Sequence, residues 1–174
     1  MREMIRYGFI LGLICLVASG LLAVVNSVTK TKILAQAQRE EEASLKEVIP
    51  RATHFEAVKS GNDVIYYKAH DRQGKLVGVA FKASGKGYSS NVDTMVGMKI
   101  DGTIITIKIL SQNETPGLGA RVVEPSFTGQ FANKNIQSLG EVQAITGATI
   151  SSKAVIDSVN KKAGEIKELI KNEK

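Results

Sequence analysis

Eighteen consecutive residues, Gly8 to Val25, read "GFILGLICLVASGLLAVV" without a single charged side chain. As a helix such a run rises ~27 Å, close to the hydrocarbon thickness of a bilayer, which marks it as a transmembrane candidate. The basic start "MREMIR" would also suit a cleaved signal peptide. The run is longer than a typical signal core, however, and no small-x-small pair follows it before Lys30 and Lys32. The reading is therefore an uncleaved single-pass anchor. Arg2 and Arg6 on one side face Lys30 and Lys32 on the other, so charge alone leaves the orientation open. The residues ahead of the helix are too few for a domain, so the working part follows it.

Cys15, the one cysteine, lies inside this run. A disulfide framework or multi-cysteine metal centre is thereby excluded, and Ile14 and Leu16 around it do not suit a lipidation site. The net charge of +6 is compatible with nucleic acid or anionic lipid, but Trp is absent and only 5% of residues are aromatic. With so few stacking surfaces and no clustering of Lys and Arg, nucleic-acid binding is not expected.

"TKTKILAQAQREEEASLKEVI", Thr29 to Ile49, is rich in helix formers and stops at Pro50. It reads as a stalk, with "REEE" as its solvated face. Beyond Pro50 the periodicity changes. "DVIYYKA" and "KLVGVAFKA" are strand-like runs around the turn residues of "HDRQG". "VDTMVGMKI" and "TIITIKIL" flank Asp101-Gly102, a hairpin signal in which both turn positions are expected at positive φ. In the second run Ile105, Ile107 and Ile109 should share one face. Val155, Val159, Ala163, Ile166 and Ile170 then recur at helical spacing from Ser152 to Ile170. The expected fold is α+β: an anchor over 1–28, a helical stalk over 29–50, and from 51 to 174 a small, mainly antiparallel sheet packed with a C-terminal helix.

Three short motifs stand out. "GKGYSS", Gly85 to Ser90, lacks the Lys-Ser/Thr of a P-loop and the third glycine of a dinucleotide fingerprint; a tight turn explains it, as does a close backbone approach to a ligand. "NETPGLGA", Asn113 to Ala120, suits a type II turn at Pro116-Gly117 and offers Glu114, Thr115, Leu118 and open amides that can grip a flat heteroaromatic ring. "AITGATISSKAV", Ala144 to Val155, crowds Thr146, Thr149, Ser151 and Ser152 at a helix start. Ser151 or Ser152 suffices as an N-cap, which leaves Thr146, Gly147 and Thr149 unexplained. Gly147 and Ala148 keep the backbone uncovered, so a modifying enzyme can reach the Thr149 hydroxyl, and a phosphate there would meet the free amides of a helix N-terminus.

Together "ETPGLGA" and "ITGATISS" resemble the FMN-binding domain of RnfG, a component of the Rnf membrane electron-transport complexes, and of its homologue NqrC in the sodium-pumping NADH:quinone oxidoreductase. The resemblance runs along the whole chain, and its length favours RnfG. It implies FMN joined by a phosphodiester to the second Thr of the Ser/Thr-Gly-Ala-Thr motif, here Thr149, supplied from FAD by a flavin transferase. It implies an inner-membrane protein with a cytoplasmic N-terminus, an extracytoplasmic domain and the other Rnf subunits as partners. Ring contacts are expected from Glu114, Thr115, Gly117, Leu118 and Gly119, a second wall from Gly87, Tyr88 and Ser89, and flanking contacts from Thr146, Gly147 and Ala148. Lys153 pairs with the phosphate or is simply solvated. Gln143 departs from the pattern, since many members carry Asp three residues before the first Thr.

The expected role is an electron carrier without its own acid–base pair, because His54 and His70 are isolated in sequence. A flavin domain of another electron-transfer system, or a tethered scaffold whose threonine motif is only a cap, are the competing readings.

Overall fold

A computed structural model of the chain describes residues 2–61 and 63–172. The chain divides into two compact units, Met1–Glu40 and Glu41–Lys174. Helix α1, Arg2–Val48, supplies all of the first unit that is described and the opening turns of the second. In the first unit its apolar side chains, such as Phe9, Leu16 and Leu22, are exposed on every side. From Gly8 to Val25 no charged face is offered to water, which is the pattern of a helix solvated by lipid. Among the described residues it is the one helix long and apolar enough to cross a membrane.

The second unit is built on a five-stranded antiparallel meander in the order β1-β2-β3-β4-β5. Its strands are β1 His54–Ser60, β2 Asp63–His70, β3 Leu76–Lys86, β4 Asn91–Met98 and β5 Ile104–Ser111. A short helix α2, Pro125–Thr128, lies among 3-10 turns in the long connection to α3, Thr149–Asn172. Strand β1 has no counterpart in the sequence reading. It is an edge strand whose residues are mostly exposed, so it carries no clean apolar alternation for a pattern search to find.

Both sheet faces are covered. On one face α3 buries Val155, Val159, Ala163, Ile166 and Ile170, the expected stripe, against Phe81, Val96 and Met98. The long connection adds Val122, Phe127, Phe131 and Leu139 to this core, with Phe127 and Phe131 edge-to-face at 5.5 Å. On the other face the last turns of α1 bury Leu45 and Val48, with Ile49 after them, against Ala69, Ala80 and Met95. The segment read as a stalk thus ends as a layer of the domain. Its charged residues take part: Tyr67 Oη donates to Glu41 at 2.9 Å, and Lys108 pairs with Glu47 at 2.6 Å. Burial, then the bond to Glu41 and the charges of Glu41 and Glu42, push the Tyr67 phenol up to about 12. Two glycines set how closely the helices lie: a Cβ at Gly97 would strike the Val48 carbonyl, and one at Gly85 the Ala154 carbonyl of α3.

Two local expectations are corrected. The β4–β5 turn does not place both residues at positive φ; only Gly102 is there, at 90°, and its N–H closes a Lys99–Gly102 turn at 3.0 Å. Asp101 instead turns its carboxylate onto the Thr103 amide at 2.8 Å, which a longer loop with one left-handed glycine permits. The isoleucines of β5 also do not share one face: Ile107 and Ile109 join the α3 core, whereas Ile105 packs with the α1 side. A register shift between Gly97 and Met98 breaks the period of two there.

Thr94, fully buried in β4, holds a hydroxyl with no hydrogen-bond partner among the described residues. Removing an unpaired buried polar atom relieves a desolvation cost of about 1–3 kcal/mol. Thr94→Val should therefore raise the thermal midpoint of the full chain in detergent, whereas Val96→Thr, which adds a hydroxyl to the core, should lower it.

Candidate functional site

Three segments meet at one end of the sheet: the β3–β4 connection Gly87–Ser90, the chain after β5 from Gln112 to Ala120, and the lead-in to α3 from Ala144 to Thr149. The last two bend because their residues require it. The turn Thr115–Leu118 is closed by Leu118 N–H on Thr115 O at 3.1 Å, with Pro116 second and Gly117 third at φ 76°. That is the expected type II turn. The turn Ile145–Ala148 repeats the device, with Ala148 N–H on Ile145 O at 2.9 Å and Gly147 at φ 81°. A Cβ on Gly147 would lie 3.6 Å from Leu118 Cδ2, so two motifs far apart in sequence are neighbours in the fold.

Glu114 joins the first two segments to the first turn of α3. Its side chain is 5% exposed. Oε1 accepts the amides of Ser89 and Ser90, each at 3.0 Å, and Oε2 accepts the Tyr88 amide at 3.1 Å and the Ser151 hydroxyl at 2.5 Å. Burial alone would push this carboxyl up, but the Ser151 hydroxyl and the three amides outweigh it and hold it below the usual carboxylate range. Glu114 is thus a charged clamp whose lone pairs are spent on the protein. Gly87 and Gly119 make room for it, since a Cβ on either would come within 3.0 Å of the carboxylate.

The serines at the start of α3 do not cap it. Ser152 Oγ accepts the Ile145 amide at 3.0 Å and donates to Ala148 O at 2.9 Å, fastening the turn rather than the helix end, and Ser151 is committed to Glu114. The first i to i−4 bond of the helix runs from Ser152 N–H to Ala148 O at 2.9 Å. The amides of Thr149, Ile150 and Ser151 precede it and have no intrahelical acceptor.

Between the segments lies a cleft of about 540 Å³. Glu114, Gly119, Ala148 and Ser151 line it as buried residues, and Thr115, Gly147 and Thr149 as exposed ones. Its rim carries three exposed apolar side chains, Tyr88 (71% exposed), Leu118 (50%) and Ile150 (55%). An apolar rim, backbone donors and an exposed alcohol at a helix N-terminus fit a flat heteroaromatic ring that bears a phosphate.

Of the residues expected from sequence, Tyr88, Glu114, Thr115, Leu118, Gly119, Gly147, Ala148 and Thr149 line the cleft. Gly87, Ser89 and Gly117 stand behind it as parts of the clamp and turn, Thr146 is the exposed second residue of its turn, and Lys153 is exposed one helical turn beyond Thr149. Ile150 and Ser151 line it too, without having been expected as ligand contacts. Ile150 had a signal, as an apolar residue off the 155/159/163/166/170 stripe of its helix. Gln143 is exposed, and its backbone N–H donates to Gln130 Oε1 at 2.9 Å. His54 and His70, isolated in sequence, meet across β1 and β2 with ring centroids 6.4 Å apart, away from the cleft.

Comparison with known proteins matches the same segments. The FMN-binding domain family matches residues 87–163, and the RnfG N-terminal region matches residues 1–48. The G subunit of the ion-translocating oxidoreductase complex of Methanosarcina acetivorans is 36% identical over 159 residues, covering 83% of this chain and 84% of that protein. The chain belongs to the RnfG family. Another relative is the G subunit of the Na(+)-translocating ferredoxin:NAD(+) oxidoreductase complex of Acetobacterium woodii, 34% identical over 185 residues, with 91% of this chain and 89% of that one covered. Among solved structures, NqrC of Shewanella oneidensis is 21% identical, with 70% of this chain and 74% of that one covered and a TM-score of 0.49. Membership in this family and the apolar helix together make the chain membrane-anchored, and the FMN-binding domain match covers the cleft-forming segments from Gly87 onward.

Because the native Glu114 pKa is depressed, its contribution to stability is present above the ordinary Glu value of about 4.3 and lost as pH falls through the lower native value. Glu114→Gln, which leaves buried amides facing an NH₂ group, should cost about 1–3 kcal/mol at pH 7. The gap in thermal midpoint between wild type and variant should narrow on acidification below pH 4, as followed by circular dichroism. A constant gap from pH 7 to pH 3 would contradict a charged clamp.

Proposed function

We propose that this chain is the flavin-carrying subunit of an Rnf-type complex, with FMN held through a phosphodiester to Thr149, and that it relays electrons between neighbouring redox subunits. The observation that carries this reading is the placement of Thr149: an exposed hydroxyl that opens α3 and lines the apolar-rimmed cleft. A phosphate on its Oγ would meet amides that have no intrahelical acceptor, where the helix dipole favours an anion. Tyr88, Leu118 and Ile150 would flank the ring, and Lys153, one helical turn beyond Thr149, would be available to the phosphate.

Attachment is the work of a flavin transferase. The Thr149 Oγ bonds to the FMN phosphorus of FAD, the phosphoanhydride bond breaks, AMP leaves, and the hydroxyl proton passes to solvent. The accessibility of Thr149 supports such a reaction, since a large enzyme has to reach it. A tether suits a domain on the extracytoplasmic side of the cell's inner membrane with its N-terminus in the cytoplasm, because a cofactor lost there is not easily recovered. Tethering keeps its effective concentration high in both redox states. The bound flavin supplies the electron chemistry; the protein positions it and tunes its potential.

Ion movement belongs to the partner subunits. The apolar run of α1 from Gly8 to Val25 has no carboxylate or other ionisable group apart from Cys15, and a single helix of that kind offers an ion no path.

Co-expression with a flavin transferase, followed by denaturing electrophoresis under ultraviolet light, tests the attachment. The wild-type band should fluoresce and the Thr149→Ala band should not, with membrane levels of the two proteins equal. A dark wild-type band would favour a tethered scaffold. Gln143→Asp, which restores the residue common in the family, should label at least as fast as wild type, and its exposed position lets the change be made without unfolding.

A further inference from the structure

Glu114 is the best-connected side chain in the cleft, yet its oxygens are already occupied. Tyr88, Ser89 and Ser90 direct three successive amides at one carboxylate, and Ser151, two residues past Thr149, donates its hydroxyl to the same group. A second strap runs alongside it, from the Asn113 amide to Ser90 Oγ at 2.8 Å. The Glu114 amide in turn donates to Gln112 Oε1 at 2.6 Å. One buried anion therefore sets the distance between the cleft wall that carries Tyr88 and the first turn of α3 that carries Thr149. The two glycines whose Cβ atoms would strike it, Gly87 and Gly119, belong to the two facing loops, so the packing on both sides is built around that carboxylate.

We propose that Glu114 is a positioning residue for flavin attachment: acting through Ser151 and the Tyr88–Ser90 loop, it presents the Thr149 hydroxyl at a fixed angle over the cleft without touching the flavin ring. The inference rests on the reading of Thr149 as the attachment point. Ser151 is the link, because a hydroxyl two residues from Thr149 fixes the rotation of the first helical turn and with it the direction of Thr149 Oγ. The amides of Tyr88, Ser89 and Ser90 point into the protein, and the exposed Tyr88 ring is left on the outer side. The Thr115 and Leu118 side chains then remain as the parts of the Asn113–Ala120 motif free to meet a ligand.

The test uses the full chain in detergent with purified flavin transferase, FAD and Mg²⁺, and reads the rate of covalent flavin incorporation against acceptor concentration. Glu114→Gln and Ser151→Ala are compared with wild type and with Ser158→Ala, which removes an α3 hydroxyl that donates to Val155 O. A misdirected nucleophile lowers the maximal labelling rate by roughly 10- to 100-fold. Both site variants should show this drop, with the half-saturating acceptor concentration unchanged, while Ser158→Ala matches wild type. In Glu114→Gln the amides of residues 88–90 should also exchange faster with deuterium, a readout that needs no flavin. Wild-type labelling by either site variant would overturn the proposal. So would a change confined to half-saturation, which would mean recognition by the transferase, or a Glu114→Gln protein that labels fully with a shifted flavin spectrum, which would mean direct ring contact. If Glu114→Gln does not fold, Ser151→Ala decides alone. An unlabelled wild type would instead overturn the attachment reading itself, which separates the two failures.

Discussion

The buried carboxylate of Glu114 is the interaction on which the cleft depends. It is held charged by four donors, and it ties the Gly87–Ser90 connection and its own loop to the first turn of α3. Loops usually supply function because a rigid scaffold positions them. Here the scaffold extends into the loops themselves, since one side chain substitutes for the backbone pairing that β3, β4 and β5 cannot provide beyond their ends. The cleft beside it carries an apolar rim and the exposed Thr149 hydroxyl.

The sheet below has a matching economy. Its two faces are closed by helices from opposite ends of the chain, α3 on one and the last turns of α1 on the other. The residues after Glu41 thus serve the folded domain as well as the helix that continues toward the apolar run. Tyr67 and Lys108, bonded to Glu41 and Glu47, show that the run of acids in "REEE" and the following turn is partly a docking edge rather than only a solvated surface. Missing side chains at Gly85 and Gly97 decide how near the two helices approach, so helix spacing in this domain is written in glycines as much as in apolar residues.

Much of this was legible from residue order. The stripe Val155, Val159, Ala163, Ile166 and Ile170 announced α3 because helical burial repeats every three to four residues, and the type II turn at Pro116-Gly117 followed from what those two residues permit. Strand β1 was not legible, because an exposed edge strand need not alternate. The split of the β5 isoleucines was hidden because a one-residue register shift has no compositional mark. Ser151 and Ser152 looked like caps because hydroxyls at a helix start usually are; their true partners, Glu114 and Ile145, are set by tertiary approach. Glu114 was expected among the ring contacts and lines the cleft, but that its oxygens are consumed by Tyr88, Ser89, Ser90 and Ser151 depends on a contact across 24 to 37 residues that local pattern does not carry.

We propose that one hydroxyl, that of Thr149, carries the flavin. Tandem mass spectrometry of the peptide spanning Thr149, taken from full chain co-expressed with a flavin transferase, addresses it most directly. Fragment ions should place one FMN, joined with loss of water, on Thr149 and leave Thr146, Ser151 and Ser152 unmodified. An unmodified peptide, or FMN on any of the other three hydroxyls, would contradict it.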